Sequence, residues 1–324
     1  MRSIAAVILL SLALNGAGAA GCNTKQDTSA QNVKKQGNYN APATTPATPT
    51  PTPETNGAAS DGLTVLMKGS QSGVSDAFVA VARDATTYGA LRELVSGLPE
   101  MSADAFNTSV VVAAFMGRRP TGGYSVEIRR ITDGTIGLSE SPPPKDAFVT
   151  QAITTPFKII SVSVNHEQPL SIQLGGEWKT VTQPFRVITS TFTVTGGLAG
   201  TTENLRLEGE IRVMRQGHLA TLAFDLIAAG VSTKRALRDV ATGVEQSDGS
   251  ITITHMAAGS LVSPPPVALS ASGKFTDGEN KLALAFETLP PIVPDGYQGR
   301  GRLEATAPSP PPQKRKPLSG DNPV

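Results

Sequence analysis

The sequence predicts a mainly β protein, in which a small β-rich α+β domain with one helix precedes an antiparallel β-sandwich or barrel domain. Short apolar runs rich in β-branched residues, such as residues 109–115, recur along the chain. The second half of the chain has many segments in which apolar and polar residues alternate, and residues 204–215 are the clearest of them. The best helical pattern lies at residues 85–99. These observations favour strands over helices along most of the chain.

The first globular domain is predicted over residues 62–173. Its helix has Tyr88 and Leu91 at helical spacing, and Gly97 and Pro99 follow where the helix should end. Strands are expected at residues 62–69, 75–84, 109–117, 124–131, 132–141 and 157–164.

The second domain is predicted over residues 174–307. The alternating segment at 204–215 is joined by a short link to residues 217–230, which predicts a β-hairpin. Residues 234–244 are compatible with a short helix. Further strands are expected at residues 185–194, 250–257, 267–275, 281–289 and 299–306. Many short strands at close spacing are typical of an antiparallel sandwich or barrel.

Residues 1–22 have the pattern of a secretory signal, with one Arg, an apolar run too short to span a bilayer and then small residues. The segment "AAGC" resembles the lipobox of bacterial lipoproteins, which implies that Cys22, the only cysteine, is lipidated. Residues 23–61 are Pro- and Thr-rich and predict a disordered tether, and residues 308–324 predict a disordered basic tail. We therefore expect an extracytoplasmic protein of the bacterial cell envelope, anchored by lipid at the outer membrane or the cell surface.

Charge and residue spacing argue against several kinds of chemistry. The formal net charge of +1 gives no electrostatic basis for binding nucleic acid. His166, His218 and His255 lie far apart in sequence, and the chain has neither H-E-x-x-H nor C-x-x-C. We therefore expect no metal, no cofactor and no enzyme activity. The acids that an unrecognised activity would use are Asp84, Asp104, Glu127 and Asp225.

The stretch "GRRPTGGYSVEI" follows an apolar run and is rich in glycine, as phosphate-binding loops are. Gly117 and Gly122 have the separation of a P-loop, but Gly123 stands at the required Lys and Tyr124 at the required Ser or Thr. A dinucleotide fingerprint also fails, because a strand and not a helix is predicted next. The stretch instead predicts a turn between strands, in which Pro120 fixes φ and Gly122 and Gly123 supply positive φ.

The run from residue 110 to residue 164 resembles the C-terminal domain of the PrcB family. The features that match are the strand leading into "GRRPTGGYSVEI", the Pro-rich turn after it, "VTQAIT" and the "PFKII" strand. The resemblance implies a small extracytoplasmic domain that associates with or stabilises a secreted protease without being a protease itself.

These observations predict a non-catalytic, lipid-anchored envelope protein that binds or stabilises a protein partner, with a secreted or surface protease as one such partner. Arg118, Arg119 and Tyr124 are the expected contact residues, because Arg and Tyr are common interface anchors. The alternative hypothesis is a lipocalin-like second domain that binds a small apolar or lipid ligand. An enzyme of unrecognised type is the third.

Overall fold

The computed structural model describes residues 62–132, 134–164, 169–175, 182–196, 201–230, 234–258, 267–289 and 298–308. The predicted signal, Cys22 and the tether lie outside these residues, as do His166, Trp178 and nearly all of the basic tail. No helix in the described part of the chain is long and apolar enough to cross a membrane.

Two sheets and one helix make up the first part of the chain. The strands are β1 Leu63–Gly69, β2 Phe78–Ala82, β3 Ser109–Phe115, β4 Ser125–Thr132, β5 Thr135–Ser141, β6 Phe157–Ser163 and β7 Ser171–Gly175. One sheet is antiparallel with strand order β1-β6-β3-β2, and the other has the order β4-β5-β7, with β7 parallel to β5. The short strand β7, which spans the predicted domain boundary at 173/174, was not predicted.

The helix α1, Ala85–Leu94, confirms the helical pattern in the sequence. Its N-cap is Asp84, whose carboxylate accepts hydrogen bonds from the Thr87 backbone N–H at 2.8 Å and the Thr87 hydroxyl at 2.9 Å. Tyr88 and Leu91 are buried, so one face of the helix packs against the core. A short 3-10 helix, Ala103–Asn107, leads into β3.

The second part of the chain is a closed, eight-stranded antiparallel β-barrel, in which the last strand pairs with the first. Its strands are β8 Gln183–Gly196, β9 Thr201–Gln216, β10 Leu219–Ala229, β11 Lys234–Glu245, β12 Ser250–Ala258, β13 Val267–Thr276, β14 Lys281–Thr288 and β15 Gln298–Thr306. The predicted mainly β fold, with one helix and a barrel, is thus confirmed.

The short helix expected at residues 234–244 is wrong, because this segment forms strand β11. Five consecutive residues of β11, from Asp239 to Gly243, are buried. Val240 belongs to the core of the first part, whereas Ala241 belongs to the barrel core. A strand covered on both faces loses the alternating pattern by which a strand is recognised in sequence.

The barrel interior is filled with apolar side chains. On β14, Leu282, Leu284 and Phe286 are buried and alternate with exposed residues. Aromatic rings meet across the interior, such as Phe224 and Phe286, whose ring centroids lie 6.5 Å apart. A small apolar ligand, the alternative predicted from sequence, would require these packed side chains to make room.

The barrel packs directly against the first part, and the described residues fall into one compact unit. The edge strand β2 contacts β9, β10 and β11. Barrel residues Met214, Leu219 and Val240 join the apolar cluster formed by the two sheets and the helix. The two parts therefore share buried apolar surface.

Candidate partner-binding surface

The turn at residues 117–124 connects β3 to β4. Gly117 and Gly123 have positive φ, at 71° and 84°, whereas Gly122 does not. At Gly122 the requirement is close approach, because a Cβ there would collide with the Thr150 hydroxyl. A Cβ on Gly123 would lie 2.8 Å from the Pro143 Cβ. The paired glycines thus let the turn pack against a second loop, residues 142–156.

Backbone hydrogen bonds hold these two loops together. The Gly122 N–H donates to the Thr150 carbonyl at 2.9 Å. Arg119 and Thr154 exchange two backbone hydrogen bonds, at 2.8 and 3.0 Å. The Thr154 hydroxyl also donates to the Thr121 carbonyl at 2.8 Å. We call residues 117–124 and 142–156 together the two-loop surface.

The three contact residues predicted from sequence occupy different environments on this surface. Arg118 is exposed. Arg119 is half-buried and binds Glu140 through two hydrogen bonds, from Nε at 3.0 Å and Nη2 at 2.8 Å. Its guanidinium carbon lies 6.0 Å from the ring centroid of Tyr124. Arg119 and Tyr124 thus support the turn from inside, and Arg118 alone of the three is fully presented to solvent.

Sequence reasoning missed the most prominent apolar residues of this surface. Phe148 is fully exposed, at 107%, and Ile153 is 64% exposed. They are the two most exposed large hydrophobic residues in the described part of the chain. The available signal was an apolar pair in "AFVTQAIT" that fits neither a strand nor a helix period. Both side chains lie on residues 142–156, so their apolar surface is open to a partner that binds this loop.

The predicted catalytic alternatives do not converge. Asp84 caps the helix, Glu127 lies 3.9 Å from Lys158, and Asp225 forms an exposed ion pair with Arg238 at 3.0 Å. Asp104 lies in the 3-10 helix and His218 in the turn between β9 and β10. Within the described ranges, no group of three or more His, Cys, Asp or Glu residues could hold a metal ion.

The most enclosed acid is Asp239, which lies between the barrel and the first part. Its carboxylate accepts hydrogen bonds from Arg83 Nη2 at 2.9 Å, the Leu170 N–H at 2.8 Å and the Ala257 N–H at 2.9 Å. Burial raises the pKa of Asp239, and the charge of Arg83 and backbone N–H groups oppose this shift. Because the carboxylate is fully buried, it cannot reach a substrate in solvent. Its hydrogen bonds to groups of both parts hold the two parts together.

A second surface feature lies on the outer wall of the barrel. It is a groove of about 800 Å³ across strands β8 and β12 to β15. Hydroxyl side chains line it on both sides, including Thr191, Thr252 and Ser272, with Arg300 and Arg302 between them. Phe286 and Leu289 add apolar surface to its lining.

Comparison with known proteins identifies one domain. The family model described as PrcB C-terminal matches residues 110–163, which confirms the resemblance seen in the sequence. The comparisons with curated proteins and with solved structures give no match. The matched residues run from β3 to β6 and contain the whole two-loop surface. The match therefore identifies a domain within the chain and not the family of the whole chain.

Proposed function

We propose that this protein is a non-catalytic, lipid-anchored subunit of the bacterial cell envelope that binds a protein partner through its PrcB-like domain. The observation that carries the proposal is the position of the family match, because residues 110–163 include every residue of the two-loop surface. The partner suggested by the family is a secreted or surface protease, which this protein would recruit, stabilise or restrain.

The chemistry of the two-loop surface supports protein binding. Interfaces between proteins are enriched in aromatic residues and Arg and have an apolar centre. Phe148 and Ile153 supply exposed apolar surface, and Arg118 supplies an exposed guanidinium on the adjoining turn. A rigid backbone beneath these side chains lowers the entropy lost on binding.

The barrel has a supporting role in this proposal. Its interior is packed, and its strands β10 and β11 cover the edge of β2. It therefore gives the PrcB-like domain a rigid base, rather than acting as a container for a ligand. Its outer groove remains free for other contacts.

The proposed anchor comes from residues 1–22. The lipobox-like "AAGC" would be cut before Cys22, which would then carry the lipid at the new N-terminus. The polar residues 23–61 that follow have the composition of a spacer between the lipid and the domain that begins near residue 62.

Crosslinking from native membranes, followed by affinity capture of the tagged full-length chain, tests the proposal. We expect one reproducible envelope protein in near-equimolar yield, and a protease would support the family-based assignment. The Cys22→Ser variant is the control for the anchor, because it should leave the membrane fraction. Repeated capture without a reproducible partner would contradict the binding role, and a Cys22→Ser variant that stays on the membrane would contradict lipidation.

A further inference from the structure

We propose that Phe148 and Ile153 form the anchor of the partner interface, and that they insert into an apolar pocket on the partner protein. This inference rests on the proposed function, which it extends by naming the docking element and the chemistry that receives it. The two residues lie on residues 142–156, where the chain runs from β5 to β6 over the surface of the PrcB-like domain.

The Phe148 side chain is exposed to solvent over its whole surface. A side chain at 107% of its reference exposure makes no appreciable apolar contact with its own chain. Apolar rings are among the side chains that gain most from leaving water, so a partner that covers the Phe148 ring gains the free energy of its burial. The protrusion of the ring also indicates the shape of that partner, which must be concave where it receives the ring.

Hydrogen bonds on both sides of Phe148 hold the backbone that carries the ring. On one side of Phe148, the Ala147 N–H donates to the Pro144 carbonyl at 3.0 Å. On the other side, the Thr150 carbonyl accepts from Gly122, and the Ile153 carbonyl accepts from the Gln71 side chain at 3.2 Å. The ring is thus presented from a loop held before any partner arrives, which limits the entropy lost on docking.

The charges around Phe148 indicate what kind of surface receives its ring. Membrane surfaces attract clusters of Lys and Arg. Here Lys145 and Asp146 are adjacent, exposed and of opposite charge, and Arg119 is bound to Glu140. Arg118 is then the one unmatched cation of the two-loop surface, and one cation is not a cluster. A protein pocket is therefore favoured over a lipid surface. The sequence of the C-terminal segment 309–324 also offers little to cover the ring, since Leu318 and Val324 are its only large apolar residues.

The neighbouring charge gives the partner a further property. Arg118 lies exposed on the turn that is hydrogen-bonded to this loop. The Arg119 guanidinium is already bound to Glu140, so Arg118 is the guanidinium of the turn that can meet an acidic group. The partner should therefore present an apolar pocket large enough for an aromatic ring, with a carboxylate at its rim.

The test uses the full-length chain and three variants, Phe148→Ala, Ile153→Ala and Ile188→Ala. Ile188 is the matched control, because it is 53% exposed but lies on barrel strand β8. Binding to the partner captured with the wild-type protein is measured by titration, and thermal unfolding checks that each variant is folded. We expect Phe148→Ala to weaken binding about 30-fold or more, Ile153→Ala less, and Ile188→Ala not at all.

The outcomes separate this inference from the proposed function. If the wild-type protein binds a partner and Phe148→Ala binds it equally well, the inference is overturned and the proposed function stands. If the wild-type protein has no reproducible partner, both fail. Binding to vesicles of anionic and neutral phospholipid is measured as well. If Phe148→Ala weakens binding to vesicles but not to the captured protein, the inference of a protein pocket is overturned.

Discussion

Arg83 and Asp239 form an ion pair that joins the first part of the chain, strands β1 to β7 and helix α1, to the barrel. Arg83 Nη2 lies 2.9 Å from Asp239 Oδ1, and the two side chains are 1% and 0% exposed. Arg83 follows strand β2, whereas Asp239 lies on barrel strand β11. Because neither charge can be hydrated in the folded state, each one takes its counter-charge from the other part of the chain.

The Arg83–Asp239 pair predicts that the two parts unfold together. We expect Asp239→Ala to lower the free energy of unfolding by about 3–5 kcal/mol, because Arg83 would remain buried without its counter-charge. Urea unfolding followed by circular dichroism measures the change. Asp225→Ala is the control, since Asp225 pairs with Arg238 in solvent and should cost less than about 1 kcal/mol. Equal losses in the two variants would contradict the structural role of Asp239.

A chain of hydrogen bonds closes the edge of strand β2. The Val81 N–H donates to the Thr242 hydroxyl at 2.7 Å, and the Thr221 hydroxyl donates to the Val79 carbonyl at 2.7 Å. The two hydroxyls lie 2.8 Å apart. Because Thr221 has only one hydroxyl proton, which goes to Val79, Thr242 must donate to Thr221. Two barrel side chains thus replace the strand that would otherwise pair with this edge.

Thr242→Val tests this edge closure. Valine keeps the shape of threonine but leaves the buried Val81 N–H without an acceptor, so we expect a loss of about 1–3 kcal/mol in the free energy of unfolding. Hydrogen exchange of the Val81 amide should accelerate beyond that global loss. Thr242→Ser restores the hydroxyl and should recover slow exchange at Val81. Unchanged protection of this amide in the valine variant would show that the hydroxyl is not its acceptor.

Gly123 is expected to be more sensitive to substitution than Gly73, although both have positive φ. Gly73→Ala meets no atom within 4 Å, so it should cost only the conformational term of about 1 kcal/mol. In Gly123→Ala the new Cβ would lie 2.8 Å from Pro143 and 3.0 Å from Val149, which should add about 1–3 kcal/mol. Thermal unfolding of the two variants measures the difference, and equal losses would contradict the close packing of the two loops.

Asp248 is expected to titrate far below an ordinary aspartate. Hydrogen bonds from the Ser250 side chain and backbone, together with Lys274, lower its pKa to about 2. Since the folded pKa lies below the unfolded value, the stabilisation from this carboxylate is present above about pH 4 and is lost as the pH falls through 2. An NMR titration of the Asp248 side chain should give a midpoint near 2, and Ser250→Ala should raise it. A midpoint near 4 in the unmodified protein would contradict these contacts.

The fold was largely predictable because most strands have one buried and one exposed face. Strand β14 alternates without a break, so its sequence shows the period of a strand. Strand β11 could not be recognised, because strand β2 and helix α1 pack against it and remove the alternation. Strand β7 is short and was missed, since its pairing with β5 connects segments distant in the chain.

The candidate site was only partly predictable, for a different reason. The turn and its glycines follow from local backbone rules. The ion pair between Arg119 and Glu140 links the turn to strand β5, so its existence depends on the tertiary fold and could not be predicted from local sequence. The exposure of Phe148 depends on which residues the fold leaves uncovered, and composition alone does not determine that.

Crosslinking mass spectrometry of the native complex with a lysine-reactive reagent tests the central claim most directly. Lys145 is exposed on the two-loop surface, and Lys274 and Lys281 are partly exposed lysines on the barrel that serve as internal controls. If the partner binds the PrcB-like domain as proposed, its crosslinks should concentrate at Lys145. Crosslinks to the partner through Lys274 or Lys281, with none through Lys145, would contradict the account.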